Sequence, residues 1–438
     1  MSQDTHPVLP RSILDTDLYK FTMQQAVLQH FPDARSTYRF THRDKNVFFT
    51  RRSVDLFREA VTHFSELVLT PAERAWLEKA CPYFTPAYLD YLSAFRFDPA
   101  QVRIRFTSRA QLESDSASAP ASPIEEDVSQ PAGDPDEEGR VDIEAVGLWV
   151  EAILWEVPLM ATLSEIYFRT VDTDWTHDGQ EDVAYHKAKD LLTAGCVFSE
   201  FGTRRRRSFH IQDLVVATLL RAQRDLPGQG QVAGTSNVHL AMKYGIAPVG
   251  TIAHEWFMGI AAMRGYEHAN GIAMDLWEAV YHDVLLIALT DTFSTKAFWK
   301  DFTADPARAR RWRGLRQDSG DPFVFAGQAK EVYESMGIDY RDKTIIYSDA
   351  LNEDKALALK KQCDAIGFHA SFGIGTFLTN DFRSLSSGGK EKSKALNMVI
   401  KLASIDDQPC IKISDDLLKN TGDIATVYRV KDIFGLPK

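Results

Sequence analysis

Short apolar runs that recur along the second half of the chain are the feature that most limits its fold. From about residue 196 onward, seven such runs each end in Gly, Ser, Thr, Asp or Arg and lead into a helical stretch. Strands that alternate with helices at this spacing indicate a parallel sheet built from βα units. The runs lie within CVFSEFGTRRRRSF, GQVAGTSNVHLAMKYG, IAPVGTIAHEW, VLLIALTDTFS, WRGLRQDSGDP, KTIIYSDALN and FHASFGIGTFL.

The predicted architecture is of the α/β class. The runs and their polar ends predict an irregular (β/α) barrel of about seven strands over residues 196–438, with the active site at the carboxyl ends of the strands. A doubly wound open sheet is the competing topology, and it too gathers polar strand ends on one face. Residues 1–195, which mix helical stretches with the strand-like STYRFTHR, are expected to form an additional amino-terminal α/β domain.

One segment of the amino-terminal half departs in composition. Residues 114–140 are rich in Ser, Pro and acidic residues and nearly free of large apolar side chains. Such a segment cannot bury enough surface to offset its ordering entropy, so we expect a disordered insertion. The flanks QVRIRFTS and RVDIEAVG alternate as half-buried strands do, which favours a long hairpin tip over an interdomain linker. Beyond them, GLWVEAILWEVPLMATLSEIYFRT is expected to be a buried helix that Pro158 kinks or divides.

The charge balance and the cysteines limit the classes of partner. Lys and Arg number 50 and Asp and Glu number 61, a formal net charge of −11 that disfavours binding to nucleic acid or to an anionic membrane surface. No stretch reaches the roughly 18 apolar residues of a membrane span, and the start lacks a secretory profile. The four cysteines form no CxxC pair, which argues against a zinc ribbon and a disulfide framework. We therefore expect a cytoplasmic protein, with a nuclear location left open.

The stretch GTIAHEWFMG places His254 directly after an apolar run. Together with Glu255 it begins the H-E-x-x-H pattern of zinc proteases, but Met258 stands where the second histidine is required. The zinc protease interpretation therefore fails. Two interpretations remain open: a structural histidine near a helix start, and a reactive imidazole at the carboxyl end of a barrel strand.

Two further strand exits carry groups suited to anions. In SFGIGTFLT, Gly373, Gly375 and Thr376 would surround a phosphate with backbone N–H groups and a hydroxyl. Glycine at a tight strand exit also has a purely steric explanation. In EFGTRRRRSF, four arginines stand in succession, and a guanidinium pairs well with carboxylate or phosphate. We expect one or two of them to face the site and the others to be solvated or to bridge another chain, although a nuclear-import signal also fits.

Acidic residues end three other runs. GLRQDSGDP places one basic and several polar groups at a single strand end, namely Arg316, Asp318, Ser319 and Gly320. Carboxylates there suit sugar hydroxyls or the water shell of magnesium, although the same residues would be unremarkable in a turn. Asp291 in ALTDTF and Asp349 in IIYSDAL repeat the pattern, which favours convergence of all three on one site.

Near the amino terminus, ILDTDLYKF sets Tyr19 and Lys20 beside two aspartates. An aspartate here can simply cap the helix that follows. The aromatic ring and the cation need a further explanation, because a ring can stack on a planar substrate and an ammonium can neutralise an acid group.

Taken together, these stretches resemble nicotinate phosphoribosyltransferase, a type II phosphoribosyltransferase, in a fungal-like form. The motifs ILDTDLYKFTMQQAV, FGTRRR, GTSNVHLAMKYGIAPVGTIAHEW, LRQDSGDP, YSDALN and FGIGTFLTND follow in that family's order, from about residue 9 to residue 436. Residues 114–140 look like an insertion relative to bacterial members. The resemblance implies that nicotinate and 5-phosphoribosyl 1-pyrophosphate give nicotinate mononucleotide and pyrophosphate in NAD biosynthesis and salvage. It also implies Mg²⁺, ATP as a co-substrate, and a homodimer whose active sites are shared across the interface.

Carried over by motif, the resemblance assigns roles to individual residues. His254 would be autophosphorylated, and Asp318 would act in catalysis, where a carboxylate suits the positive charge that develops on the sugar. The residues expected around nicotinate are Tyr19, Phe201, Arg204, Thr251 and Arg316. Those expected around the phosphoribosyl group and its phosphates are Lys20, Ser319, Gly320, Asp349, Gly373, Gly375 and Thr376. Mg²⁺ is expected to be held mainly by substrate phosphates, and its protein ligands stay undefined.

Two alternatives to this function stay open. A related phosphoribosyltransferase could use nicotinamide, which lacks the carboxylate, or quinolinate, which has two. A catalytically silent barrel that serves as a scaffold is the other, although intact His254, Asp318 and GIGT argue against it.

Overall fold

The computed structural model describes residues 7–114, 133–416 and 420–437. The strands are β1 (Arg35–His42), β2 (Phe49–Thr50), β3 (Val102–Ser108), β4 (Glu138–Leu148), β5 (Val197–Glu200), β6 (Gln231–Thr235), β7 (Ile287–Leu289), β8 (Gly314–Gln317), β9 (Thr344–Tyr347), β10 (His369–Ile374), β11 (Phe382–Arg383), β12 (Lys392–Ser393), β13 (Met398–Ile405) and β14 (Gln408–Pro409). The helices are α1 (Leu18–His30), α2 (Arg51–Thr62), α3 (Pro71–Ala80), α4 (Pro86–Ala94), α5 (Arg109–Ser114), α6 (Trp149–Ala152), α7 (Glu156–Thr170), α8 (Gln180–Thr193), α9 (Phe209–Asp225), α10 (Val238–Tyr244), α11 (His254–Arg264), α12 (Ala269–Tyr281), α13 (Thr295–Ala304), α14 (Pro306–Arg311), α15 (Pro322–Ser335), α16 (Glu353–Ile366), α17 (Thr376–Thr379) and α18 (Ile424–Phe434). Within these residues, no helix combines the length and the hydropathy that a membrane span requires.

The first six-stranded sheet is antiparallel and draws strands from both ends of the chain. Its order is β14-β13-β1-β4-β2, with β3 also paired to β4. Along β1, Ser36, Tyr38 and Phe40 are buried while Arg35 and Arg39 are exposed. One face of the strand therefore packs inward, with the period of two that a half-buried strand shows. β13 and β14 follow the parallel strands in sequence, so this sheet combines strands from both sides of residue 195.

The strands that flank the predicted insertion form a hairpin, as expected. β3 and β4 pair antiparallel from Val102↔Ala145 to Ser108↔Gly139, so the segment between them joins neighbouring strands of one sheet and is not an interdomain linker. The last three residues of the predicted segment, 138–140, belong to the sheet, because β4 begins at Glu138. Residues 115–132, on which the expectation of disorder falls, lie outside the described residues.

The second six-stranded sheet is parallel and follows six of the seven apolar runs. Its order is β6-β5-β10-β9-β8-β7, and neighbouring strands run parallel throughout. This confirms a mixed α/β fold with a parallel sheet and an additional amino-terminal part. Neighbouring strands in the sheet are also consecutive in sequence, except that the last strand, β10, lies beside the first, β5. The two edge strands, β6 and β7, do not pair with each other within the described residues.

The run IAPVGTIAHEW, expected as a further strand, is a loop that leads into α11. Within this loop, Pro248 forms an isolated bridge with Thr235 of the parallel sheet. Pro248 has no N–H to donate to a ladder, and Gly250 has a φ of 148°, which a side chain would disfavour. The described sheet thus has six strands where about seven were predicted.

The apolar segment after β4 divides, as Pro158 predicts. α6 ends at Ala152 and α7 begins at Glu156. Pro158 lies in the first turn of α7, where backbone N–H groups have no partner within the helix. The missing N–H of Pro158 therefore costs no helical hydrogen bond. The rings of Trp149 and Trp256 stack with their centroids 6.1 Å apart. This contact sets α11 against the amino-terminal half of the chain.

The packing of α11 on Trp149 can be tested at Gly259. A Cβ added at Gly259 would lie 2.6 Å from a ring carbon of Trp149, and Trp149 is fully buried. Alanine in a helix interior is normally more stable than glycine by about 1 kcal/mol, but overpacking costs about 1–3 kcal/mol. We therefore expect Gly259→Ala to lower the free energy of unfolding by up to about 2 kcal/mol, measured by denaturant titration.

Gly327→Ala is the matched control for this prediction. Gly327 lies within α15, and a Cβ there would meet no atom within 4 Å. The same substitution should raise the free energy of unfolding by about 0.5–1 kcal/mol at this position. A stabilising effect of Gly259→Ala would contradict the packing of α11 on Trp149.

Candidate active site

The carboxyl edge of the parallel sheet brings side chains from separate segments around His254. His254 begins α11, Thr292 and Asp318 follow β7 and β8, and Lys412 follows β14. The imidazole Nδ1 lies 3.0 Å from Thr292 Oγ1. Its Nε2 lies 3.0 Å from Asp318 Oδ2 and 2.8 Å from Lys412 Nζ. The His254 side chain is 19% exposed, so the ring stays accessible to a ligand.

His254 is held as a neutral imidazole. Burial, and then the charge of Lys412, lower its pKa below the ordinary value. A neutral ring carries one N–H, and an ammonium can only donate. In the tautomer whose Nε2 accepts from Lys412, Nδ1–H donates to Thr292, whereas in the other tautomer Nε2–H donates to Asp318. In the first tautomer the Nε2 lone pair faces the charged cluster, as a reactive imidazole requires.

Asp318 is an ionised carboxylate. Burial alone would raise its pKa, but the Arg316 guanidinium, followed by His254, holds that pKa well below its usual range. Arg316 Nη2 lies 3.2 Å from Asp318 Oδ1, and the Ser348 hydroxyl donates to the same oxygen. Arg316 also donates to Ser348 Oγ at 2.8 Å and to the Ile252 carbonyl at 3.3 Å. The guanidinium expected at nicotinate is thus largely committed to Asp318 and its surroundings.

A second carboxylate lies behind this cluster. Asp291 is 0% exposed, and its Oδ2 accepts from Lys412 at 3.0 Å and from the Ser319 hydroxyl at 2.5 Å. Gly320 has a φ of 78°, and a Cβ there would lie 3.0 Å from the Cβ of Asp415. The structure therefore gives Ser319, which is buried, and Gly320 local roles in the turn after β8.

Residues expected around nicotinate come from segments that contact one another. The Thr251 carbonyl accepts a hydrogen bond from the Thr22 hydroxyl of α1 at 2.6 Å, and a Cβ at Gly250 would lie 3.3 Å from the Tyr19 nitrogen. Tyr19 and Thr251 therefore lie side by side. Arg204 Nη1 lies 3.2 Å from Glu156 Oε1, and the Arg204 side chain is 40% exposed, so the guanidinium can still reach a ligand.

The glycine turn after β10 packs on Phe201. A Cβ at Gly373 would collide with the Phe201 ring, and one at Gly375 would lie 3.1 Å from the Phe201 carbonyl oxygen. The steric explanation, which the sequence left open, therefore applies to Gly373. Thr376 begins α17, and Asp349 follows β9 as a half-buried residue at the same edge of the sheet.

The four consecutive arginines have different environments. Arg206 pairs with both oxygens of Asp15, at 2.7 and 2.9 Å, and is 3% exposed. Arg207 is fully buried, with its guanidinium 3.6 Å from the ring centroid of Phe168. Arg205 donates to a carbonyl of β13. The expectation that arginines not facing the site are solvated or bridge another chain is therefore wrong for Arg206 and Arg207, which stabilise the interior.

Lys20, expected at a substrate phosphate, is fully buried between two carboxylates. Its Nζ lies 2.5 Å from Glu156 Oε2 and 2.8 Å from Glu255 Oε1. Burial alone would raise the pKa of Glu156, but Lys20 and Arg204 hold it below its ordinary value. At Glu255 burial outweighs the charge of Lys20 and raises the pKa to about 7. A phosphate contact from Lys20 is not supported by this position.

The aspartates of ILDTDLYKF do not cap α1. Asp17 occupies the N-cap position without a capping hydrogen bond, and its carboxylate accepts from the Ser236 hydroxyl at 2.7 Å. Asp15 is taken up by the pair with Arg206. Capping is therefore the wrong explanation for these residues, which tie the start of α1 to the segments after β5 and β6.

Several residues at or near the site were not predicted from the sequence, among them Glu156, Lys401 and Lys412. Burial, and then the charges of Lys412 and Arg43, lower the pKa of Lys401 to about 7, which indicates crowded cations in this region. Both lysines could have been found in the sequence, because each interrupts an apolar run, VIKLAS for Lys401 and CIKISDD for Lys412. Lysine is rarely buried without a partner or a function.

Comparison with known proteins adds independent findings. The nicotinate phosphoribosyltransferase (NAPRTase) family matches residues 196–438, and the N-terminal domain of that family matches residues 14–116. A relative from Schizosaccharomyces pombe is 43% identical over 430 residues, across 97% of this chain and 98% of that one. Nicotinate phosphoribosyltransferase from Saccharomyces cerevisiae is 39% identical over 438 residues, across 98% of this chain and 96% of that one.

Solved structures agree with these matches. A crystal structure from Saccharomyces cerevisiae superposes with a TM-score of 0.90 at 38% identity, and covers 99% of this chain and 100% of that chain. The crystal structure of nicotinate phosphoribosyltransferase from Porphyromonas gingivalis superposes with a TM-score of 0.84 at 35% identity, across 97% and 100% of the two chains. The chain therefore belongs to the nicotinate phosphoribosyltransferase family.

Proposed function

We propose that this enzyme transfers the phosphoribosyl group of 5-phosphoribosyl 1-pyrophosphate to nicotinate, which gives nicotinate mononucleotide and pyrophosphate in NAD salvage. The relatives that bear this name support the reaction. The observation that carries it is the surroundings of His254, a neutral imidazole between an ionised carboxylate and an ammonium. They lie at the carboxyl edge of a parallel sheet, where α/β enzymes bind their ligands.

Nicotinate offers a flat ring and a carboxylate, and the proposed site has a partner for each. Tyr19 and Phe201 supply aromatic rings for the pyridine, beside the backbone of Thr251. Burial raises the pKa of Tyr19 well above its ordinary value, so the phenol stays neutral. Arg204, which Glu156 fixes at one nitrogen, supplies a guanidinium for the carboxylate. Nicotinamide would leave this cation without a charged partner.

Asp318 is the group that we propose to act in the transfer step. Loss of pyrophosphate develops positive charge on the sugar and negative charge on the leaving group. Because Asp318 is kept ionised by its cationic neighbours, it can offset the charge on the sugar. The turn of Gly373, Gly375 and Thr376 is proposed to hold the ribose phosphate through its main-chain N–H groups, and Asp349 to accept from a sugar hydroxyl.

ATP is proposed to act through His254 Nε2. In the tautomer whose Nδ1–H donates to Thr292, the Nε2 lone pair can attack the γ-phosphorus once Lys412 moves its hydrogen bond from Nε2 to the phosphate oxygens. The N–P bond forms as the bond from that phosphorus to the bridging oxygen breaks, and ADP leaves with the electron pair. Lys412, 2.8 Å from Nε2, then pairs with the phosphoryl oxygens. Attack of water on phosphorus breaks the N–P bond and returns phosphate and the neutral imidazole.

Mg²⁺ fits this site as a partner of substrate phosphates. Asp291 Oδ1 is buried without a hydrogen-bond partner in the described structure, and a hard cation prefers such an oxygen. Over the same residues, no three or more His, Cys, Asp and Glu side chains are grouped to hold a metal. Asp291 and Asp318 would therefore hold Mg²⁺ together with phosphate oxygens and water. When bound, the ion would neutralise charge on the leaving pyrophosphate.

Three broader features belong to the same proposal. The parallel sheet is an irregular barrel, in which residues 246–253 complete the ring through contacts with Thr235 of β6 and Arg316 of β8.

The enzyme is a homodimer with active sites at the interface, as the family resemblance implies. It works in the cytoplasm, with a nuclear location still open, since free and buried cysteines suit a reducing compartment.

Two arginines should separate substrate binding from catalysis. Arg204→Ala removes an exposed guanidinium, so the KM for nicotinate should rise about 10- to 100-fold with little change in kcat, as for a lost charge-assisted hydrogen bond of about 1.5–3 kcal/mol. Arg316→Ala leaves Asp318 without its principal cation, so kcat should fall instead. Steady-state product assays with nicotinate, nicotinamide and quinolinate, each with and without ATP, measure both effects.

Arg341→Ala is the control for these variants, because Arg341 is 71% exposed and pairs with Asp339 on the surface. It should change neither KM nor kcat. Preference of the wild-type enzyme for nicotinamide or quinolinate would contradict the proposed substrate.

His254→Asn tests the phosphohistidine. Asparagine keeps a polar group but lacks the nucleophilic ring nitrogen, so transfer of labelled γ-phosphate from ATP to the protein should disappear. The stimulation by ATP should be lost with it, while some ATP-independent transfer to nicotinate remains. His268→Asn, at a side chain that is 70% exposed, should behave as wild type. Persistent ATP stimulation in His254→Asn would rule out this route.

A further inference from the structure

Lys20 has surroundings that the proposed reaction does not explain. Its side chain is 0% exposed, and its Nζ lies 2.5 Å from Glu156 Oε2. The same atom lies 2.8 and 2.9 Å from the two carboxylate oxygens of Glu255. Glu156 also contacts Arg204, at 3.2 Å. These residues form a buried charge chain, Arg204–Glu156–Lys20–Glu255, in which positive and negative groups alternate.

The buried charge chain lies next to the proposed nicotinate residues and to His254. Tyr19 directly precedes Lys20 in α1, and His254 directly precedes Glu255 in the first turn of α11. Arg204 is itself one end of the buried charge chain. One ammonium thus joins, through two carboxylates, the segments that carry the aromatic ring, the guanidinium and the imidazole.

Aromatic rings enclose the ammonium and limit its movement. Lys20 Nζ lies 5.4 Å from the ring centroid of Tyr19 and 5.5 Å from that of Tyr38, within the range of cation–π attraction. Trp149 Nε1 donates to the Tyr38 hydroxyl at 3.0 Å, which fixes the Tyr38 ring. The groups around Lys20 are therefore held by partners of their own.

Stability alone does not account for charges buried in this way. Removing an ion from water costs several kcal/mol, and well-packed apolar residues of similar volume often give an equally or more stable protein. Charge-assisted hydrogen bonds, in contrast, fix the directions and distances of the groups they join. The buried charge chain is therefore better explained by the geometry that it imposes.

We propose that Lys20 is a positioning residue, whose buried ammonium holds Tyr19, Arg204 and His254 in the mutual geometry that nicotinate binding and histidine phosphorylation require. This inference rests on the proposed function. A displacement of about 1 Å at an active site can cost about a hundredfold in rate. Breaking the buried charge chain at Lys20 should therefore impair both nicotinate binding and histidine phosphorylation without removing a group that contacts substrate.

The test removes the charge of Lys20 together with that of one partner. Lys20→Met alone would leave two buried carboxylates facing each other, which endangers folding. Lys20→Met is therefore combined with Glu255→Gln, so that Glu156 keeps its pair with Arg204. After thermal unfolding has shown that the variant folds, we expect the nicotinate KM to rise about tenfold or more. ATP stimulation should fall in parallel, with little change in the KM for phosphoribosyl pyrophosphate.

Lys343→Met is the matched control. Lys343 is 6% exposed and donates to main-chain carbonyls at the end of α14, including that of the following residue Trp312 at 2.7 Å. Its loss should lower stability without changing the nicotinate KM or the ATP stimulation. Should the double variant not fold, Glu255→Gln alone, which keeps Lys20 paired with Glu156, should reduce ATP stimulation.

A folded double variant that keeps either the wild-type nicotinate KM or the wild-type ATP stimulation would overturn the role of Lys20. Equal changes in Lys343→Met, or undiminished ATP stimulation in Glu255→Gln, would overturn it as well. Failure of the proposed function is a different result, since the wild-type enzyme would then show no phosphoribosyl transfer to nicotinate.

Discussion

The pairing of β1 with β13 is the contact on which assembly of the site depends. It adds residues 398–405 to the sheet that the start of the chain forms. The chain then crosses to the parallel sheet, where Ile413 forms a bridge with Phe293. Lys412, one residue earlier, thereby reaches His254. Closing so long a loop costs entropy, and the continuous apolar core beneath both sheets offsets that cost.

The chemistry at His254 follows from this assembly. Without Lys412 the imidazole would stand beside two carboxylates, Asp318 and Asp291, and both would favour its protonated form. Burial and the ammonium outweigh them and keep the ring neutral. The same ammonium offsets the charge of Asp291. Burial, and then a lysine that the last strands of the chain bring to the site, thus keep the imidazole in the neutral form that we propose as the nucleophile.

Local patterns in the sequence were enough to predict the parallel sheet and the edge that carries His254 and Asp318, because apolar runs with polar ends are visible without knowledge of partners. The prediction of a seventh strand was wrong because Pro248 cannot donate a hydrogen bond to a β-ladder. The prediction for the arginines was wrong for a different reason. Four consecutive arginines look alike in the sequence, so the environment of each cannot be told apart. Arg206 and Arg207 are buried against Asp15 and Phe168, which lie far away in sequence. Pairing across long separations is what the sequence alone could not supply.

Cationic groups gather near the site although the whole chain is acidic, and this arrangement favours small anions. The net charge is −11, whereas Arg204, Lys401 and Lys412 gather cationic groups near the site. Charges in solution are screened over about 8 Å, so a long polyanion meets the acidic surface while a small anion meets the cations. Crowding lowers the pKa of Lys401 to about 7, and an anion beside it would favour the protonated form. Repulsion among the cations of the free enzyme is therefore relieved most by the multiply charged phosphates that we propose as its substrates.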